Sequence, residues 1–332
     1  MAITTTAEIA SPWTALSRRA RARRRYGRGA IYAFLLVVSV PLMIPYLGLF
    51  VFAFSSDDPT VLWRAIAVLA PAGLALWAWS GWARNQRQAL AGSVVIAVAA
   101  VIGLALLIGA ELHLRNFDFL LVPPRSSQPS VWRAFGNSLI LAVSQTVIVA
   151  TTASLAGYYL SRFAFPARTA MLRALILVHA FPVITLIVPL FLMLHVANLL
   201  NSLVGVILVL VAFELPFAIF IMKGFFDAVP WDIEMSALID GATRRQAFVR
   251  IVLPQVTGGI IAVSIFAFIR GWEEYIFVLT FLVTRGKWVM SLYLFFENNS
   301  AAVAVFYLLP PMLLFVFAQK YLLRISIGGM QP

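Results

Sequence analysis

The sequence predicts an all-α integral membrane protein of about eight transmembrane helices, with a helix–turn–helix in one cytoplasmic loop. Three observations predict it. Of the 332 residues, 62% are hydrophobic and only 11% charged, and the mean hydropathy is +0.94; a soluble domain carries roughly a quarter charged residues. Apolar runs of about 20 residues, the length that crosses a bilayer core, recur eight times along the chain. One polar interval, "EMSALIDGATRRQAFVRIVLPQ" (Glu234–Gln255), interrupts that pattern between two such runs. Cysteine is absent, which excludes disulfides, thiolate metal sites and thiol nucleophiles.

The elements follow in order. Residues 1–29 form a basic cytoplasmic tail whose "SRRARARRRYGR" (Ser17–Arg28) anchors the first helix and can touch anionic membrane lipid. No folded basic surface accompanies it, so no nucleic-acid partner is expected. The apolar run that follows is long enough to span and has no convincing cleavage site, so it does not read as an export signal. The first transmembrane helix covers 30–54. A hairpin over 61–110 pairs Val61–Trp82 with Leu90–Ala110, and Trp77, Trp79 and Trp82 read as an interfacial belt. Residues 111–133, with "LVPPRSSQPS", form an external loop.

The core, 134–323, carries the spans Asn137–Leu160, Leu172–Val196, Leu203–Met222, Gly259–Val283 and Ala302–Leu323. It encloses a cytoplasmic loop at 223–257 and is followed by a cytoplasmic tail at 324–332. Pro182, Pro189, Pro216, Pro310 and Pro311 fall inside spans, as ordinary kinks or as elements of gating.

Charge fixes the orientation. With a cytoplasmic N-terminus, eighteen of the 25 Lys and Arg residues lie inside; Arg64, Arg115, Arg125, Arg133, Arg285 and Lys287 lie outside, and Arg270 alone is left in the membrane. That is a strong positive-inside asymmetry.

In the loop, Pro230 suits a first helical turn. Asp232 and Glu234 then put negative charge where the helix dipole favours it. Asp240-Gly241 supplies a break with access to left-handed angles. Thr243 can cap a second helix from Arg244 to about Val252, with Ala247, Phe248, Ile251 and Val252 on one face, and Leu253-Pro254 is expected to end it. A connector could be far shorter. The pair is expected to expose an amphipathic surface for a cytoplasmic partner; a self-packed loop is the alternative.

Within the membrane, Arg270 can reach Glu273 or Glu274 at three- or four-residue helical spacing. Such charges should face a bundle interior, as a structural ion pair or as the lining of a solute path. Two acids against one base leave an acceptor over, which favours the path. Glu214 is a further path candidate, or Arg270's partner across helices. Gln145 serves either the path or helix–helix hydrogen bonding. His179 and His195 have no second ligand group at metal spacing, so no metal site is expected.

Together these stretches resemble the membrane subunits of binding-protein-dependent ABC importers, whose signature loop reads Glu-Ala-Ala, then Gly, then Ile-x-Leu-Pro. Ala237, Asp240, Gly241, Ala242, Phe248, Ile251, Leu253 and Pro254 match in register. Met235 stands where that family has its first Glu, and Ser236 where it has its first Ala. Glu234 lies one residue earlier, about 100° away around a helix. The family's contact between this acid and an arginine of the ATPase is therefore either rebuilt from Glu234 or absent. "GNSLILAVSQTVIVATTASLAGYYLSRFAFPAR" (Gly136–Arg168), "ELPFAIFIMKGFF" (Glu214–Phe226) and "GWEEYIFVLTFL" (Gly271–Leu282) resemble the carbohydrate-uptake branch, with Glu273 where Asn is usual. "AQKYLLRISIGGM" (Ala318–Met330) resembles the end of the smaller permease of the maltose-transporter pair. That subunit usually has six spans, so the 61–110 hairpin looks added.

The resemblance implies a sugar importer in the bacterial inner membrane, with both termini cytoplasmic. A second permease subunit would complete the pathway, and an external solute-binding protein would deliver the solute. Two cytoplasmic ATP-binding subunits would hold ATP and Mg, and this chain no cofactor. Trp272 and Tyr275 would then be available to stack on a sugar face. The chain has no G-x-x-x-x-G-K-[ST] loop, so it is not expected to hydrolyse ATP. An autonomous secondary transporter using intramembrane carboxylates is the alternative, and it leaves the loop unexplained. An intramembrane enzyme lacks any nucleophile–base constellation.

Overall fold

A computed structural model of the chain describes residues 38, 42–55, 58–82, 85–122, 129–179, 182–296 and 300–328. The basic tail with its lipid-anchoring expectation, the start of the first span, Arg84 and Arg125 lie outside the described residues. Among those described, the secondary structure is helical throughout, with no strand. Among the described residues, five helices are long and apolar enough to cross a membrane, and up to seven spans result if each of two bent pairs counts as one. The first expected span adds α1, Leu42–Phe54, as a shorter apolar helix.

The chain divides into two units, Met1–His113 and Leu114–Pro332. In the first, α1 is followed by the expected hairpin, α2 (Pro59–Trp82) and α3 (Gln86–Ile108). Asn85 caps α3 by accepting the Gln88 amide. Asp58 accepts the amide of Thr60 at 2.9 Å, which holds its carboxyl below the usual range. Arg64, awkward for a spanning segment, pairs with Glu111 at 2.6 Å. Trp77 is exposed, as a belt residue should be, but Trp79 differs: it is half-buried and donates to the Gln88 carbonyl at 3.2 Å, joining the two arms.

The second unit is built around α4 (Val131–Arg162), which packs along α7 (Leu203–Asp227) and α11 (Thr257–Glu273). Gly157 makes the first contact possible. A Cβ there would lie 2.8 Å from Met222 Cβ and 2.9 Å from the Lys223 amide, so only glycine lets the ends of α4 and α7 meet this closely. The apolar core runs through Leu141, Val149, Leu160, Val206, Met222, Phe226 and Phe281.

Two expected spans are broken. The fifth is α5 (Arg168–His179) and α6 (Ile187–Val196), and the stretches Arg168–Val178 and Val183–Val196 stand at 90°. Pro182 is extended and has no amide hydrogen to continue a helix. The seventh ends at Glu273; Glu274 is extended, and a short helix α12 (Ile276–Phe281) follows. Met290–Phe296 (α13) and Ser300–Gly328 (α14) complete the unit. Helix α14 continues to Gly328, where a tail from residue 324 was expected.

Candidate functional site

The loop at 223–257 holds a helix–turn–helix, as its sequence predicts. Helix α8 (Trp231–Ile239) follows Pro230 and ends in a Schellman turn, in which Ala242 N–H donates to Ala237 O and Gly241 N–H to Leu238 O. Gly241 sits at φ +89°, a conformation that side chains resist. Thr243 then caps α9 (Arg244–Ala247) in a reciprocal box with Gln246. Pro254 does not stop the helix. Phe248–Val252 widens into a π turn, in which Leu253 N–H donates to Phe248 O, and α10 (Leu253–Gln255) carries the proline. The wider turn accommodates a ring that would otherwise meet the preceding turn's carbonyl. The break falls at Val256, and Arg244–Gln255 meets Thr257–Glu273 at 73°.

The loop does not expose the amphipathic face that its sequence suggests. The face carrying Ala247, Phe248, Ile251 and Val252 is turned inward: Ala247 and Val252 are buried, and Phe248 and Ile251 are half-buried. The Phe248 ring lies 4.5 Å from that of Tyr158 in α4. Glu234 also points inward and is 2% exposed. Its Oε2 faces Arg162 Nε at 3.0 Å, and its Oε1 accepts from the Tyr158 hydroxyl at 2.5 Å. The Arg162–Glu234 contact lacks hydrogen-bond alignment, so it is an ion pair; the directional bonds are those from Tyr158 and from Arg162 Nη2 to Val229 O at 2.9 Å. In this structure the Glu234 carboxylate is held inside the chain, which fits the alternative in which the family's acid-to-arginine contact is absent.

Outward-facing residues of the loop are Trp231, Asp232, Ile233, Ser236, Ile239, Asp240 and Arg245, with Ile239 85% exposed at the tip of α8. Met235, Ala242 and Leu253 are half-buried, Ala237 is buried, and Pro254 is exposed. Arg244 lies over the Phe163 ring at 5.3 Å and Arg162 over Trp231 at 5.2 Å. Sequence reasoning missed Tyr158 and Arg162. Their one signal was shared placement, four residues apart on the last turns of α4, directly above an acid-bearing loop.

A cavity of about 350 Å³ lies where the two broken spans meet α4 and α7. Its polar lining comes from Gln145, Glu214, Arg270 and Glu274, and its apolar lining includes Ile187, Leu210 and Phe213. Arg270 pairs across helices, its Nε 3.9 Å from Glu214 Oε2, rather than along its own helix. Glu274 instead caps α12, accepting the Phe277 amide at 2.8 Å. Gln145 is 1% exposed and its Oε1 has no hydrogen-bond partner. Broken helices around a polar cavity at membrane depth are how transport sites expose backbone without exposing it to lipid.

Trp272, Glu273 and Tyr275 lie elsewhere. Trp272 is 1% exposed and its indole stacks with Phe268 and Tyr307; the indole N–H donates to the Tyr307 carbonyl at 3.1 Å, and the Tyr307 hydroxyl donates to the Trp272 carbonyl at 3.0 Å. It holds α11 to α14 and has no free face for a solute. Glu273 is exposed, and Tyr275 is half-buried against Phe295. His195 is exposed, and among the described residues no cluster could hold a metal ion.

Comparison with known proteins gives the same outline. Residues 151–324 match the family described as the binding-protein-dependent transport system inner membrane component. A probable ABC transporter permease protein of Pyrococcus horikoshii is 36% identical over 200 residues, 58% of this chain and 72% of that one. The diacetylchitobiose uptake system permease protein of Streptomyces coelicolor is 37% identical over 162 residues, 49% of this chain and 54% of that one, so the match spans about half of that relative. In structure, a bacterial ABC transporter involved in the import of the acidic polysaccharide alginate superposes with a TM-score of 0.65 at 16% identity, covering 91% of this chain and 98% of that one.

Proposed function

The chain belongs to the inner membrane components of binding-protein-dependent transport systems, and we propose that it forms half of the solute pathway of an ATP-driven sugar importer. It is a multi-pass transport subunit and not an enzyme. Partners of two kinds go with such a subunit: ATP-binding chains that supply the energy, and a solute-binding protein that supplies the cargo. In the assembly we propose, a second, different permease subunit completes the pathway and two ATP-binding subunits hold ATP and Mg. The membrane is then the bacterial inner membrane, with both termini cytoplasmic.

The observation that carries this reading is the loop. It holds a fixed helix–turn–helix whose outer face carries exposed Trp231, Ile233 and Ile239, in a chain with no nucleotide-binding motif of its own. Exposed apolar side chains beside exposed charge suit a protein partner. Arg270 adds support. It lies about 20 Å along α11 from the cytoplasmic side, within a core of ~30 Å, yet its side chain is 72% exposed on the isolated chain. A guanidinium at that depth needs water or another subunit beside it rather than lipid, as a shared pathway provides.

A sugar cargo is supported by the diacetylchitobiose permease among the relatives and by a cavity whose acceptors, Gln145, Glu214 and Glu274, suit hydroxyl donors. The test is reconstitution in liposomes. Uptake should need the ATP-binding subunits and a loaded solute-binding protein; ion-gradient-driven uptake by this chain alone would overturn the reading.

A further inference from the structure

We infer that Glu234 is a positioning residue that fixes the docking helix α8 to the cytoplasmic end of α4, so that movement of the loop is delivered to α4. This rests on the proposed docking of the loop to an ATP-binding subunit, and it adds the route by which that docking reaches the membrane helices.

Covalently, α8 follows α7 through a short turn at Ala228–Pro230. A loop held only there could swing about that turn and lose its displacement before any span moved. Six contacts remove this freedom, and they converge on the last turns of α4. Glu234 meets Arg162 at 3.0 Å with side chains 3% and 5% exposed. Tyr158 donates to the same carboxylate, while its ring carries Phe248 from the second loop helix on one side and Phe226 from α7 on another. Arg162 also donates to Val229 O, inside the connecting turn itself. Beside it, Ser161 Oγ donates to Asp227 Oδ1 at 2.6 Å, and Asp227 is paired with Lys223, closing α4 onto the end of α7. Both halves of the loop and the end of α7 are thus held by Tyr158, Ser161 and Arg162.

Position explains why Glu234 can do this. One residue before Met235, it is rotated about 100° on α8, which buries it against α4 while Met235 stays half-buried. A buried charge pair is poor at adding stability but strict about geometry, because each charge left alone in that environment is costly. The acid in this loop therefore orients the docking surface from behind, while contact with the partner falls to the outer residues of α8.

The chain's lack of cysteine permits a direct test. Spin labels placed at Ser236→Cys on α8 and Tyr159→Cys on α4, both exposed, report the loop-to-α4 distance in the complete complex. With wild-type Glu234, one narrow distance is expected, unchanged between the nucleotide-free and vanadate-trapped states. In Glu234→Gln the distribution should broaden while the ATP-binding subunit still co-purifies, and ATP hydrolysed per solute imported should rise roughly tenfold, the effect of about 1.4 kcal/mol on a two-state equilibrium. Glu234→Asp should restore part of the coupling. If Glu234→Gln does not accumulate, the double variant Arg162→Met with Glu234→Leu removes both charges together and carries the same expectation. A wild-type distance that shifts with nucleotide would overturn the inference, as would normal coupling in the charge-removed variants. Loss of the ATP-binding subunit from Glu234→Gln would overturn it too, because Glu234 would then be a docking contact. A wild-type chain that holds no ATP-binding subunit would overturn the docking reading and this inference together.

Discussion

The carboxylate of Glu234 and the guanidinium of Arg162 meet at 3.0 Å in the interior, joining the helix–turn–helix loop to the end of the longest core helix, α4. Removing one partner strands the other as an uncompensated charge, so Glu234→Ala or Arg162→Ala should each cost about 3–5 kcal/mol. Arg162→Met combined with Glu234→Leu should recover most of that loss. Thermal unfolding of the purified protein in detergent checks this, and strictly additive losses in the double variant would contradict it.

Gly157 lets α4 and α7 touch, and a Cβ there meets backbone as well as side chain. Gly157→Val should therefore destabilise by about 1–3 kcal/mol or more through overpacking. Gly224, where an added Cβ meets nothing within 4 Å, serves as the control. Gly224→Ala should leave the melting temperature nearly unchanged.

At Gly241 the constraint is conformational, since nothing crowds an added Cβ but φ is +89°. Gly241→Val should cost about 1–2 kcal/mol and misdirect α8 relative to α9. Gly241→Asn should be tolerated far better, because Asn enters left-handed backbone more readily. The amount of ATP-binding subunit retained through purification should rank Gly, then Asn, then Val.

The cavity makes a separate demand. Arg270→Gln and Glu274→Gln should change import by roughly fivefold or more, the scale of one intramembrane polar contact of about 1 kcal/mol. Assembly should survive both changes. Steady-state uptake of several sugars by reconstituted complexes reads this out. Unchanged import of every sugar would make both residues structural.

Much of the fold was legible because a bilayer imposes a length and a composition. The helical spans, the Asp240-Gly241 turn and the Thr243 cap followed from apolar run length, glycine conformation and side-chain capping, all of them local properties. What was not legible depended on neighbours. The break at Glu274 was hidden because the apolar run resumes at Ile276 at once, and the acid reads as a charge until its capping of Phe277 is seen. Arg270 has two acids within helical reach in sequence, and only the packing selects the other candidate, Glu214 on another helix, as its ion-pair partner. Trp272 looked like a stacking platform but is enclosed by Phe268 and Tyr307. Glu234 looked like a surface acid because periodicity gives the faces of a helix without saying what stands behind each one.

The most direct measurement uses a single cysteine at Ile239, the most exposed large apolar residue of the loop, in a chain that has no other. In membranes containing the assembled complex, Ile239→Cys should form a covalent cross-link to an ATP-binding subunit through a short thiol-to-amine reagent, at a yield that changes with nucleotide. A control cysteine at buried Ala237 should not react. Cross-linking to no ATP-binding subunit, in membranes that still import solute on ATP, would contradict the assignment of this loop as the coupling surface.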